Sequence, residues 1–302
     1  MASSNPASAG DRLFAAMLWL LPTRAISRAA HALARARMPW LKQSLINAFM
    51  RLYPGIDMSE AAQPDPSAYS SFNAFFTRAL TPEARPMPDD RERIVSPVDG
   101  TLGAFGDARS GMICQTKGMA YDLRTLVGGS EAWSAAFLGG RYATFYLAPS
   151  NYHRVHMPLN AELMEMVYVP GRLLSVNVRT ADVVPGLFTR NERLICHFNG
   201  PVGPFSIVMI SAMNVGNIST AWEGQVMPRL SRETARWAYP GAEPAVRLNK
   251  GQYLGQFNLG STVIMIAGPG QLTWHQEVTP GSSVRMGQLI GELTTNPAIV
   301  EG

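Results

Sequence analysis

Leu259-Gly260-Ser261-Thr262-Val263-Ile264-Met265-Ile266-Ala267 is a glycine–serine step that runs straight into an apolar, β-branched segment. The segment 262–267 has the composition of a buried strand. Serine after glycine is also chemically suggestive: with no Cβ on the preceding residue, a strained turn can bring the Ser261 Oγ onto the Gly260 carbonyl. An ordinary serine opening a strand has the same appearance. Outward from this point, similar runs stand at 143–147, 163–169, 173–179, 194–198 and 205–212, separated by Gly, Pro and Asn. Within 173–179, Leu174, Val176 and Val178 alternate with Ser175, Asn177 and Arg179, the period of a strand with one buried face. Residues 94–302 therefore predict a β-rich domain, mainly antiparallel, as a sheet or sandwich. No repeat of 20–50 residues points to a solenoid or propeller.

The first 55 residues have a different texture. Helices are expected at about 11–21, with Asp11 as N-cap, at 23–37, with Thr23 before the helix, and at 39–52, punctuated by Pro22, Pro39 and Pro54-Gly55. Leu41, Leu45, Phe49 and Leu52 recur at helical spacing, and arginines gather around Ile26, Ala30, Leu33 and Ala34, so the helices are basic and amphipathic. Residues 1–53 hold Arg12, Arg24, Arg28, Arg35, Arg37, Lys42 and Arg51 against Asp11 alone, in a chain of net charge +4. The basic character belongs to this segment. Such helices fit two roles, a cap packed on the rest of the protein or an anchor lying in a lipid interface. The apolar run 13–21 is too short to span a bilayer, and the order of its flanking arginines suits a cleavable signal poorly. Residues 56–93 read as a linker, richest in Pro, Asp and Ser at 56–68, followed by a short helix with Phe72, Phe75, Phe76 and Leu80 on one face, ending near Pro82. The fold class is α+β: N-terminal amphipathic helices, then the β-rich catalytic domain.

Composition narrows the chemistry. At 302 residues and 46% hydrophobic the chain can bury a large core, and disorder is excluded. Only 16% of residues are charged while Met numbers 16, so much apolar surface must be buried or face lipid. Cys114 and Cys196 are too few for a disulfide framework or a multi-cysteine zinc site, and a reducing compartment is the default. The nucleotide-binding glycine fingerprint, the Walker A loop, H-E-x-x-H and G-x-S-x-G are all missing. Lysine occurs only at Lys42, Lys117 and Lys250, leaving few places for a Schiff-base lysine.

Two further clusters carry chemistry. Asn151-Tyr152-His153-Arg154-Val155-His156-Met157-Pro158 sets two histidines three apart after a strand. Acid–base catalysis, structural hydrogen bonding and metal ligation all suit them, though no third and fourth ligand lie nearby in sequence. Ser96-Pro97-Val98-Asp99-Gly100 holds a carboxylate in a turn; most Asp-Gly pairs only make turns, but a buried carboxylate is what a catalytic histidine needs to fix its tautomer.

Several pieces then recur in order over residues 69–297: Phe72-x-x-Phe75-Phe76-x-Arg78-x-Leu80 with Arg85-Pro86, Pro97-Val98-Asp99-Gly100, Lys117-Gly118 and Tyr152-His153-Arg154-Val155-His156. Val169-Pro170-Gly171 with Ser175-Val176-Asn177, Asn191-Glu192-Arg193, Val215-Gly216, and Lys250-Gly251 through Leu254-Gly255-x-Phe257-x-x-Gly260-Ser261-Thr262 complete the set. Together they resemble the phosphatidylserine decarboxylases, self-processing pyruvoyl enzymes that make phosphatidylethanolamine and CO2. The resemblance implies cleavage between Gly260 and Ser261 into a large (1–260) and a small (261–302) subunit that stay together as a heterodimer. It implies a covalent pyruvoyl group derived from Ser261 that forms a Schiff base with the substrate. His156, oriented by Asp99, would take the proton from Ser261 as it attacks Gly260. His153 would serve decarboxylation and proton transfer, and Ser175 would contact substrate. It further implies phosphatidylserine in an anionic membrane as partner and a peripheral place on the cytoplasmic side of the cell membrane, with no metal and no nucleic acid; a homo-oligomer stays open.

Two other classes compete. A serine hydrolase using Asp99, His156 and Ser261 would remain one chain and react with fluorophosphonate. A non-catalytic biotinyl- or lipoyl-like module fits the glycine-punctuated strands of 250–293, but those modules present a lysine at a hairpin tip and none stands at the corresponding turn.

Overall fold

The computed structural model describes Gly10 and residues 22–294, apart from 117, 214–216, 228–231 and 259–260. The expected helix at 11–21, the Lys117 and Val215-Gly216 motif positions and the Leu259-Gly260 pair lie outside the described residues.

A nine-stranded antiparallel sheet organises the β-rich part. Its order is Ala235–Ala238, Ala161–Val169, Arg193–Gly200, Gly203–Ser211, Ser261–Ala267, Arg141–Leu147, Gly100–Asp107 and Ser283–Val284, with Arg247–Leu248 also pairing along Ala161–Val169. Both faces are covered, which explains why the central strands read as continuous apolar runs rather than as alternation. On one face Val263, Met265, Met209 and Phe145 pack with Val155, Leu254 and Phe257 from a four-stranded sheet and with Ile94 and Ile290 from a three-stranded one. On the other, Ile264, Ile266, Val208 and Ile210 pack with Leu123, Leu126, Leu187 and Phe188 of short helices. The fold is the expected α+β with mainly antiparallel sheets.

Five of the six strands read from sequence are present, and the sixth is not. Residues 173–177 are irregular, and Val178–Ala181 is helical. The cause is Asn177, whose Oδ1 accepts from the Thr180 N–H at 2.9 Å and from its hydroxyl at 3.1 Å, so the chain turns into a helix where alternation alone favoured a strand.

The N-terminal helices are Thr23–Ala34 and Pro39–Leu52. Thr23 lies inside the first, which Pro22 precedes and which ends three residues earlier than expected. Phe72–Phe76 is only one turn of helix, capped by Ser71, and Leu80 lies beyond it, bridging Ala61. Phe49 packs on its rings, 5.2 Å from Phe72 between centroids, so the second long helix is seated on this aromatic cluster with Ile46 fully buried.

Candidate active site

Residue 261 begins the middle strand of the large sheet, opposite Leu147 on one side and Ser211 on the other. Gly100 lies beside Leu147 one strand further on; a Cβ there would sit 2.5 Å from the Tyr146 carbonyl oxygen, so the residue after Asp99 must be glycine. The chain reaches residue 261 from Tyr253–Phe257, a strand of the four-stranded sheet. Between Asn258 and Ser261 the chain therefore passes from one sheet to the other.

The approach to that crossover is pinned. The Phe257 N–H donates to the His153 carbonyl at 3.1 Å. Buried Asn258 donates through Nδ2 to Asn217 Oδ1 at 2.7 Å and accepts from Asn73 and Gln256. Asn217 in turn lies 3.0 Å from the His31 ring nitrogens, tying the helix Thr23–Ala34 to the same network.

His156 sits on Arg154–His156, the strand paired with Tyr253–Phe257. Its Nδ1 is 2.8 Å from the Gly251 carbonyl and its Nε2 is 2.9 Å from the Tyr152 hydroxyl. A carbonyl only accepts, so the proton is assigned to Nδ1, and Nε2 accepts from Tyr152. Burial holds the His156 pKa below its ordinary value, and Arg154 adds to that, against the opposing pull of the Gly251 carbonyl and Asp99. The ring is thus kept neutral, as a base requires. Burial also pushes the Tyr152 hydroxyl up to about 12, which keeps it a donor.

Asp99 does not orient His156 by direct contact. Its carboxylate is gripped by Arg85, Nε at 3.0 Å and Nη2 at 2.5 Å, and accepts the Met286 N–H at 2.8 Å. A two-pronged guanidinium is a stronger partner for a carboxylate than a neutral imidazole, and Arg85 is available because Glu60 holds its other end at 3.0 Å. The hydrogen bond at His156 Nδ1 goes to the Gly251 carbonyl instead. Gly251 has φ +78, a conformation that favours glycine.

His153 is fully buried, its ring 4.1 Å from that of Phe76. Nδ1 lies 2.7 Å from the Asn151 carbonyl, and Nε2 is buried with no hydrogen-bond partner. Burial lowers its pKa to about 3, helped by Arg78. Ser175 is joined to this end of the sheet through Asn191, whose Nδ2 donates to the carbonyls of both Leu174, at 2.8 Å, and Ser211, at 2.9 Å. The Ser211 hydroxyl, in the strand position opposite residue 261, is also buried without a partner.

A cavity of about 210 Å³ borders Tyr152 and Asn151, the hydrogen-bond partners of His156 and His153, and is also lined by Arg78, Arg85, Asp99 and Arg285 among others. Tyr152, Arg85, Gly251 and Asn191 were not singled out for a role from sequence. Each lies within a quoted motif, but nothing in a motif says which member faces a histidine.

A sequence profile of the family described as phosphatidylserine decarboxylase matches residues 72–292. The chain belongs to the phosphatidylserine decarboxylase family. A second profile, described as PSD, matches residues 13–54. The phosphatidylserine decarboxylase proenzyme of Azotobacter vinelandii is 48% identical over 283 residues, covering 93% of this chain and 98% of the relative. That of Bordetella avium is 45% identical over 280 residues, 93% and 94% of the two chains. That of Stutzerimonas stutzeri is 44% identical over 292 residues, 96% and 98%. Phosphatidylserine decarboxylases are carboxy-lyases, and this chain is one of them. Among the described residues no helix is long and apolar enough to cross a membrane.

Proposed function

We propose that this phosphatidylserine decarboxylase matures by cutting itself between Gly260 and Ser261, and that residue 261 becomes a covalent pyruvoyl group. The observation that carries the reading is the position of Ser261 as first residue of a central strand, directly after the crossover. The surroundings suit a carbonyl group there, because the buried Ser211 hydroxyl opposite lacks an acceptor. Such a group supplies a ketone that condenses with the substrate amine and accepts the electron pair as CO2 leaves.

The residues divide the work. His156 takes the proton of the Ser261 hydroxyl as its oxygen attacks the Gly260 carbonyl, the Gly260–Ser261 C–N bond breaking as the ester C–O bond forms and the freed nitrogen taking the proton. Elimination then releases the chain ending in the Gly260 carboxylate, and hydrolysis at residue 261 releases ammonia. Because Nε2 is the acceptor and Tyr152 occupies it, the proton travels through the Tyr152 hydroxyl or the serine hydroxyl takes that place. Asp99 holds Arg85 and fixes the Met286 loop, so its part is to build the pocket wall. His153, neutral and with an unoccupied acceptor at Nε2, serves proton transfer at the substrate carbon. Ser175 contacts the headgroup. The small subunit stays bound after cleavage because Val263 and Met265 are buried on one face of the sheet and Ile264 and Ile266 on the other, each worth about 1.5–3 kcal/mol.

The lipid substrate brings the enzyme to a membrane surface. Of the seven exposed large hydrophobic side chains among the described residues, Ile26, Leu33, Met38, Trp40 and Leu52 all belong to residues 26–52. The first described helix packs inward through Thr23, Ser27 and Ala34 and turns the larger apolar Ile26 and Leu33 outward. Beside it, a cleft of about 660 Å³ is lined by Arg24, Arg28, Arg172 and Arg232, suited to anionic headgroups.

Intact-mass spectrometry of the active protein tests the central claim. Two chains are expected, the smaller starting at residue 261 and lacking a free amino terminus, while Ser261→Ala stays whole and inactive. An active enzyme that is one uncut chain with an ordinary serine, or that is labelled at Ser261 by fluorophosphonate, overturns it.

A further inference from the structure

Arg78 is the one cavity-lining cation whose role the site does not explain. Its side chain is buried, with the residue 6% exposed. Its Nε is buried without a hydrogen-bond partner, and among the described residues its guanidinium makes no ion pair. The side chain rests on the Phe75 ring, Cζ 5.6 Å from the centroid. The other two cavity arginines are committed: Arg85 to Asp99 and Glu60, Arg285 to Glu60. Burial lowers the Arg78 pKa, the mark of a cation stripped of water, and the carboxylates that feel it, Asp99 and Glu60, already have partners. A buried, unpaired guanidinium aimed at a cavity is costly unless an anion arrives to meet it.

We infer that Arg78 is the subsite for the phosphodiester of phosphatidylserine, and so sets the enzyme's requirement for a phospholipid headgroup. The inference rests on the assignment of this cavity to the active site. The substrate offers two anions, and the reaction chooses between them. A carboxylate lodged on Arg78 would be stabilised before the reaction and lose that stabilisation as CO2 departs, which raises the barrier. The phosphodiester keeps its single negative charge from substrate to product, so holding it costs the reaction nothing. The guanidinium fork also matches two phosphate oxygens. The location agrees: the cavity wall includes Gly55, just beyond the helix that ends at exposed Leu52, so its mouth adjoins the proposed lipid-facing segment.

Arg78→Gln and Arg78→Lys test this with two substrates and one ligand. On phosphatidylserine in mixed micelles, Arg78→Gln should raise KM by about 10- to 100-fold, the loss of a charge-assisted pair, with kcat within about threefold. Turnover of an O-acylserine, which lacks the phosphate, should be unchanged. Calorimetric binding of glycerophosphoethanolamine, which has phosphate and no carboxylate, should weaken as KM rises. Arg78→Lys keeps the charge without the fork and should show a smaller shift of the same kind; it decides the matter if the glutamine variant does not fold. An unchanged KM, a fall in kcat alone, equal losses on both substrates or undiminished glycerophosphoethanolamine binding overturns the inference. Two-chain behaviour of the unsubstituted protein is read in parallel: its absence refutes self-processing, whereas its presence with an unchanged KM refutes the role of Arg78.

Discussion

The large sheet and the N-terminal helices use the same kinds of residue in opposite ways. In the strand Ser261–Ala267, Val263 through Ile266 are sealed on both faces, whereas the helices turn Ile26, Leu33, Trp40 and Leu52 outward. Apolar residues inside a sheet fix the position of residue 261; apolar residues outside a helix fix nothing within the molecule and are available to lipid. The contrast separates chemistry from location, and substitutions on either side should have effects that do not mix.

The largest effects are expected at the two histidines beside the sheet end. His156→Ala should leave the chain uncut and inactive, because the neutral acceptor held by Gly251 and Tyr152 is gone. His153→Ala should still process yet turn over about 10²- to 10⁴-fold more slowly, the usual worth of a proton-transfer group. Gel analysis and CO2 release report the two separately; equal processing defects would erase the division. Tyr152→Phe sharpens it: if the proton passes through the tyrosine, cleavage slows, and if the tyrosine merely steps aside, cleavage proceeds at the parent rate or faster.

Ile264→Ala tests the sheet as scaffold. Ile264 is fully buried among Val208, Ile210 and the helices on that face, so the change should cost about 2–5 kcal/mol in urea unfolding. A cost below 1 kcal/mol would mean that this strand does not carry the core.

Much of this arrangement was legible in the chain. Buried central strands announce themselves as apolar runs, and the runs 262–267 and 205–212 coincide with the strands Ser261–Ala267 and Gly203–Ser211 to within two residues. The 173–179 segment misled because alternation is blind to side chains that bond their own backbone, and Asn177 does so. At the site, sequence supplied the residues but not the pairings. Asp99 and His156 suggest a direct couple, yet the hydrogen bonds of Asp99 go to Arg85, fourteen residues upstream, and to the Met286 N–H; which partner a carboxylate takes is decided by packing.

Two buried histidines give the sheet a pH signature. His153 and His197 both have pKa values lowered to about 3, burial being the main cause. Above about pH 6.5 both are neutral folded or unfolded and contribute no slope. Below it the unfolded chain binds protons that the folded one refuses, so stability falls as pH drops from about 6.5 toward 3. Each group contributes up to about 1.4 kcal/mol per pH unit. His197→Gln should flatten the decline between pH 6 and 5 by about one proton in urea titrations, and an unaltered slope would mean that His197 is protonated in the folded protein.

The smallest effect on the fold is expected at the helices, and there the smallness is the point. Trp40 is 69% exposed and Ile26 37%, so neither holds the structure, and replacing both by serine should change stability by no more than about 0.5 kcal/mol. If these side chains enter the acyl boundary, the same variant should bind anionic vesicles about tenfold more weakly in cosedimentation. It should still cut itself and decarboxylate a short-chain substrate presented in micelles, because the residue-261 end of the sheet is untouched. Loss of micellar activity together with vesicle binding would mean that the helices shape the pocket through the His31–Asn217–Asn258 chain of contacts, and the separation of chemistry from location would fail at that junction.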